Sequence, residues 1–235
     1  MIMMDNIATM GHFVIVPNWF FGYNIFFEVI FAIVTLLVSF YAFKVYRISG
    51  QRQSKLFGMS FLFISAAYSI QSLVNFSNLF NPSSATCSMM NVSSVHYFDL
   101  AGIYAYVIFF IIGLITLAYM TFRVNDVKLY SLLLAIVLLA LLLSSNTFFM
   151  FYLLSSVLLF YITRHYLENY FDNKQAKTLL VLIGFAFLLF GKIHFIFALN
   201  HGAYYVAGHF LEFVAYALIL TNLMMVVRKN EQKAR

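Results

Sequence analysis

The stretch that decides the fold is GKIHFIFALNHGAYYVAGHFLEFVAYALILTNLMMVVRK, residues 191–229. It contains the end of one apolar run and the whole of the next, joined by a short polar turn. With the apolar residues before 191 included, each run has the ~20 residues that an α-helix needs to cross a bilayer. Four ionisable residues lie within these runs: Lys192, His194, His209 and Glu212. An ionisable side chain at the centre of a membrane helix costs about 2.5–3.5 kcal/mol on insertion scales. Four of them in one hairpin therefore predict a polar site inside a helical bundle.

The composition of the whole chain indicates an integral membrane protein. Of its 235 residues, 63% are hydrophobic and only 9% are charged, whereas soluble domains contain about 25% charged residues. The formal charge of +6 is explained by Lys and Arg that gather at the cytoplasmic membrane surface. We therefore expect a lipid bilayer as the surroundings and no nucleic-acid partner. Cys87 is the single cysteine, so no disulfide forms within the chain.

The apolar runs are continuous rather than alternating, which favours helices over the strands of a membrane β-barrel. The chain length allows about seven spans of ~20 residues with their loops. The predicted fold is all-α, one transmembrane domain over residues 1–235. Its seven helices are expected at about 24–46, 56–78, 98–122, 128–144, 147–166, 178–199 and 204–227.

The loop charges predict the orientation in the membrane. Lys and Arg lie after the first, third and fifth predicted helices and in the C-terminal tail, and Lys192 is the exception. Because cytoplasmic loops carry an excess of Lys and Arg, the N-terminus is expected outside and the C-terminus in the cytoplasm of a multi-pass protein of the cell membrane.

This topology places acidic residues of two further helices near the hairpin site. Glu28 and Asp99 both lie within about two turns of the outer surface, in the same layer as His194, His209 and Glu212. On the sixth helix, His194 shares a face with Gly184 and Gly191, whereas Lys192 is expected to point elsewhere. On the seventh, His209, Glu212 and Tyr216 share a face.

Three interpretations of this layer remain open at the level of sequence. Glu28, Asp99, Lys192 and Glu212 can bind a ligand, relay protons or form buried ion pairs that hold the bundle together. His194, His209 and Glu212 are also suitable ligands for Zn²⁺ or Fe²⁺, as in a metal-dependent hydrolase or a metal carrier. A purely structural role, in a subunit of a membrane complex, is the third interpretation.

Two segments resemble a known class of sensor. The first is FFEVIFAIVTLLVSFYAFKVYRISG, residues 26–50, a helix with an early glutamate and a basic exit, and the second is GHFLEFVAYALILTNLMMVVRK, residues 208–229. Both are similar to parts of the archaeal-type seven-helix sensor regions that precede histidine kinases. The resemblance implies a receptor-like membrane sensor rather than an enzyme. Since no output domain follows, the implied sensor stands alone and passes its signal to a protein partner on the cytoplasmic side.

Overall fold

A computed structural model describes residues 20–80, 92–122, 126–198 and 202–234. These residues form seven α-helices and, within the same ranges, no strand, which confirms the predicted all-helical class. The helices are α1 Phe21–Ser49, α2 Arg52–Phe80, α3 Val92–Phe122, α4 Val127–Leu142, α5 Thr147–Asn173, α6 Ala176–Ala198 and α7 Gly202–Ala234.

Six of the helices are long and apolar enough to cross a membrane, as a multi-pass protein requires. The exception is α4, which has 16 residues and is about 24 Å long; it matches the helix predicted at about 128–144 to within two residues at each end but is shorter than the ~20 residues of a usual span. The prediction for α5 is wrong at its end, because the helix continues beyond 166 to Asn173. An Arg164–Glu168 ion pair one turn apart supports this extension, and Lys174 ends the helix in a left-handed conformation with φ 49°.

The six long helices form a closed ring in the order α1, α2, α3, α5, α6, α7, with α7 packed against α1. The short helix α4 lies outside this ring, against α3 and α5. Its outward face is largely apolar and exposed. The residues of that face are Leu129, Leu132, Ile136, Leu139 and Leu142.

Side-chain contacts fix which helix ends meet. Asn75, near the end of α2, contacts Glu28, near the start of α1, and Ser39 donates a hydrogen bond to the Gly58 carbonyl toward the other end. We call the end at which α1 begins the N-terminal end, and the opposite one the C-terminal end. The Phe122 ring stacks on Tyr161 late in α5, so α4 carries the chain from the C-terminal end back to the start of α5.

Two glycines allow neighbouring helices to approach closely. A Cβ atom on Gly113 of α3 would lie 2.8 Å from the Ser60 carbonyl oxygen of α2, and one on Gly184 of α6 would lie 3.3 Å from the Ala215 carbonyl oxygen of α7. Small residues at such crossings are how membrane helices gain packing contacts.

Gly113→Ala is therefore expected to lower the free energy of unfolding by about 1–3 kcal/mol, because the added methyl group overlaps backbone as well as Ile64. The measurement is thermal or detergent-induced unfolding of the purified protein. Gly22→Ala is the matched control, since a Cβ atom at Gly22 meets nothing within 4 Å. Equal stability of the two variants would contradict the close α2–α3 approach.

Candidate functional site

A cavity of about 140 Å³ opens among the helices in the N-terminal half of the bundle. Side chains from α1, α2, α3, α5, α6 and α7 line it, so that every helix of the ring contributes. Glu212 lies about 15 Å along α7 from Gly202, which gives the depth of the cavity floor. The polar side chains used below are Asn24, Glu28, Gln71, Asn75, Lys192, His209 and Glu212.

A buried ion pair forms the floor of this cavity. The Lys192 Nζ atom lies 2.6 Å from Glu212 Oε1, and both side chains are only 1% exposed. Moving two charges out of water is expensive, so such a pair persists only with close mutual contact and further partners.

The partners of the ion pair are aromatic on the lysine side and hydroxylic on the glutamate side. The Lys192 Nζ atom lies 4.2 Å from the centroid of the Phe110 ring and 5.3 Å from that of Phe195, distances at which a cation is attracted to the ring face. The Tyr68 hydroxyl donates a hydrogen bond to Glu212 Oε2 at 3.1 Å and lies 3.1 Å from the Tyr216 hydroxyl. These contacts join α2, α3, α6 and α7 across the interior of the bundle.

Glu28 occupies a second polar group nearer the N-terminal end. Its carboxylate is 3% exposed and accepts hydrogen bonds from Asn75 Nδ2 at 2.8 Å on both oxygens and from Asn24 Nδ2 at 2.9 Å. The Tyr205 hydroxyl donates to Asn24 Oδ1 at 2.8 Å. This bond leaves the Asn24 amide nitrogen available to Glu28. The carboxylate is thus held by amide donors from two helices.

His209 lies between these two polar groups, and its ring nitrogens are unsatisfied. The side chain is 7% exposed, and neither Nδ1 nor Nε2 has a hydrogen-bond partner within the described residues. Its Nδ1 atom is 4.0 Å from Glu212 Oε2, beyond hydrogen-bond distance. Buried polar groups are normally satisfied, so His209 is an exception among the described residues that line the cavity.

Aromatic rings hold the His209 imidazole in place instead of hydrogen bonds. Its ring centroid lies 4.6 Å from that of Tyr205 and 5.0 Å from that of Phe195, both edge to face. Phe27 and Phe31 of α1 stack on it at 6.1 and 5.9 Å. The ring is therefore fixed in orientation although no described residue bonds to its nitrogens.

Of the residues predicted for the site, Glu28, Lys192, His209 and Glu212 all line the cavity. Asp99 lies in α3, but its side chain is outside the described residues. The predicted common face of His209, Glu212 and Tyr216 is confirmed, since all three are buried.

The prediction of which face of α6 turns toward the interior of the bundle is wrong. Gly191 and Gly184 face the neighbouring helix α7, whereas the interior of the bundle lies on the side of Leu188, Lys192 and Phe195. Lys192 therefore points inward. His194 is half-buried, with its Nδ1 atom 2.7 Å from the Phe190 carbonyl oxygen and its ring near Tyr204.

The predicted metal ligands are consequently not assembled. Within the described residues, no group of three or more His, Cys, Asp or Glu side chains is arranged to hold a metal ion. His209 and Glu212 lie together in the cavity, and His194 is on another side of α6.

Three polar contacts of the site were not predicted from the sequence: those of Asn24, Tyr68 and Tyr205. A local signal exists for Asn24, which lies one helical turn before Glu28 and can therefore reach it. On α2, Ser65 donates to the Ala32 carbonyl at 2.8 Å and Asn75 donates to Glu28, but no local sequence signal indicates the contact between Asn75 and Glu28.

Comparison with protein-family models, with curated proteins and with solved structures finds no match to this chain.

Proposed function

We propose that the protein is a membrane sensor that binds a small polar ligand in the N-terminal cavity. The observation that carries this proposal is His209, a buried imidazole in the wall of a cavity that all six ring helices line, with no hydrogen-bond partner for either ring nitrogen within the described residues. A side chain kept only for packing would not need polar atoms there, because an unsatisfied buried polar group costs about 1–3 kcal/mol. A ligand that completes these hydrogen bonds offsets that cost when it binds.

The proposal includes seven membrane crossings, with the N-terminal end outside. Two observations support α4 as a crossing despite its length: it joins opposite ends of the bundle, and its exposed positions are mostly apolar. The described basic residues of the turns lie at the C-terminal end, among them Arg52, Lys55, Lys128 and Lys177. A cytoplasmic C-terminal end agrees with the positive-inside tendency, and the cavity then faces the exterior.

The receiving partner is placed at the C-terminal end, as the resemblance to sensor regions implies. A second cavity of about 370 Å³ lies there among α1, α2, α3, α5, α6 and α7. Asn222 of α7 lines it and is 6% exposed. Asn222 follows Glu212 by about 15 Å along α7. A shift of α7 caused by a ligand in the N-terminal cavity would therefore also move the wall of the cavity at the C-terminal end.

The test is a ligand screen by thermal unfolding, with wild type beside His209→Leu and His194→Leu. A compound at about 100 times its Kd stabilises the folded state by about 2.7 kcal/mol, which corresponds to a rise in Tm of about 5–10 °C. The panel contains small amines, carboxylates, zwitterions and neutral amides. We expect at least one class to raise the Tm of the wild type and to lose this effect in His209→Leu.

His194→Leu is the matched control because it removes the same side chain from the adjoining helix, where the imidazole is half-exposed and does not line the cavity. It should retain the full ligand-dependent rise in Tm. An equal loss in both variants, or no rise with any compound of the panel, would refute binding in the cavity.

A further inference from the structure

The charged groups that line the N-terminal cavity do not balance. Two carboxylates, Glu28 and Glu212, and one ammonium group, Lys192, face it. The ammonium is taken by Glu212 at 2.6 Å, and Glu28 has no ion-pair partner within the described residues. The amides of Asn24 and Asn75 satisfy part of this carboxylate, but they carry no charge. A buried charge is normally paired, and among the described residues the two carboxylates, when ionised, carry one negative charge more than Lys192 neutralises.

The unsatisfied polar atoms of the cavity include acceptors. Gln71 Oε1 is buried without a hydrogen-bond partner within the described residues, and so are both nitrogens of His209. A neutral imidazole presents one acceptor nitrogen. A carboxylate has about four acceptor positions, and Glu28 uses three of them. A molecule in the cavity that carries N–H or O–H donors would complete the hydrogen bonding of these acceptors.

The aromatic side chains of the cavity wall and the volume of the cavity also limit the charge and the size of a ligand that fits. Tyr106, Tyr152, Tyr205 and Phe148 line it, and aromatic faces attract cations. Its volume of about 140 Å³ is close to the ~150 Å³ of an apolar cavity that holds benzene. The space therefore suits a compact organic molecule of a few heavy atoms.

We propose that the ligand of the N-terminal cavity is a small organic cation with several N–H donors, of the amidinium, guanidinium or primary ammonium class. Its charge pairs with Glu28, and its other N–H groups donate to the free acceptors of Gln71 and His209. This inference rests on the proposed function and gives that sensor a ligand class. Lys192 does not oppose the cation, because Glu212 neutralises it within the same cavity.

Three molecules of nearly one shape test the charge directly: acetamidinium, acetamide and acetate, which are cationic, neutral and anionic. Calorimetric titration at constant ionic strength is expected to show at least tenfold tighter binding of acetamidinium than of the other two. In Glu28→Gln the affinity for acetamidinium should fall at least tenfold. Glu168→Gln removes the same charge from an exposed position on α5 and should leave the affinity unchanged.

Glu28→Asp is a second variant that keeps the charge, and it should retain most of the preference for acetamidinium over acetamide. Equal binding of the three probes to wild type would overturn the inference even if Glu28→Gln fails to fold. Preferred binding of acetate would also overturn it while leaving a sensor with an anionic ligand. If none of the three probes binds and no compound of the ligand screen raises the Tm, both proposals are refuted.

Discussion

Lys192→Met is expected to lower the free energy of unfolding by about 3–5 kcal/mol, the usual effect of removing one partner of a buried ion pair. The Glu212 carboxylate is 1% exposed and would lose the ammonium group that lies 2.6 Å away. Its remaining hydrogen bond, from the Tyr68 hydroxyl, carries no charge. Unfolding of the purified protein by a denaturing detergent in mixed micelles measures this change.

The double variant Lys192→Met/Glu212→Leu separates the energy of the pair from loss of packing. Replacing both charges by apolar groups of similar volume is often neutral or stabilising, so the double variant should recover most of the stability that either single variant loses. Arg164→Met is the control, since its pair with Glu168 is 67% and 59% exposed and such pairs contribute about 0.3–0.5 kcal/mol. Additive losses in the double variant would show that Lys192 and Glu212 do not act as a pair.

This double variant also distinguishes a site from a structural pair. Tyr68, Tyr216 and the aromatic rings around Lys192 surround the pair, whereas the ring nitrogens of His209 have no hydrogen-bond partner within the described residues. A stable double variant that still binds a ligand would assign the ion pair to the architecture and Glu28 with His209 to recognition.

The fold was largely predictable because it depends on properties of single segments. A run of ~20 apolar residues forms a helix in a bilayer whatever its neighbours are, since only internal hydrogen bonds satisfy its backbone. The errors lie at helix ends. Residues 167–173 lie outside the helix predicted at 147–166, although helix α5 continues through them beyond the apolar run, with Arg164 and Glu168 paired along it.

The site was only partly predictable because it depends on which helices become neighbours. The cost of burying Glu28, Lys192, His209 and Glu212 identified them from sequence alone. The partners of these residues lie far away in the chain: Tyr68 is 144 residues from Glu212, and Asn75 is 47 from Glu28. Small residues on α6 were taken to mark the interior, but they mark the contact with α7, and this placed His194 inward in error.

The second prediction concerns whether α4 crosses the membrane, and the labelling that tests it is expected to be all-or-none. Single cysteines are introduced at Lys128, at the start of α4, and at Ser145, just after it, in a Cys87→Ser background that removes the native cysteine. Both positions are exposed in the structure. If α4 crosses the membrane and the N-terminal end is outside, a membrane-impermeant maleimide labels Ser145→Cys in intact cells and Lys128→Cys only after permeabilisation.

Gln51→Cys, in the exposed turn between α1 and α2, is a control for the C-terminal end and should behave like Lys128→Cys. Labelling of Lys128→Cys and Ser145→Cys from the same side would show that α4 does not cross. The ~24 Å of α4 is shorter than a ~30 Å hydrocarbon core, so a crossing requires local thinning of the bilayer or insertion of the polar ends, at a cost of fractions of a kcal/mol per Å. The exposed leucines of α4 gain far more than this in lipid, because a buried CH₂ group contributes about 0.8 kcal/mol, and this difference favours the crossing.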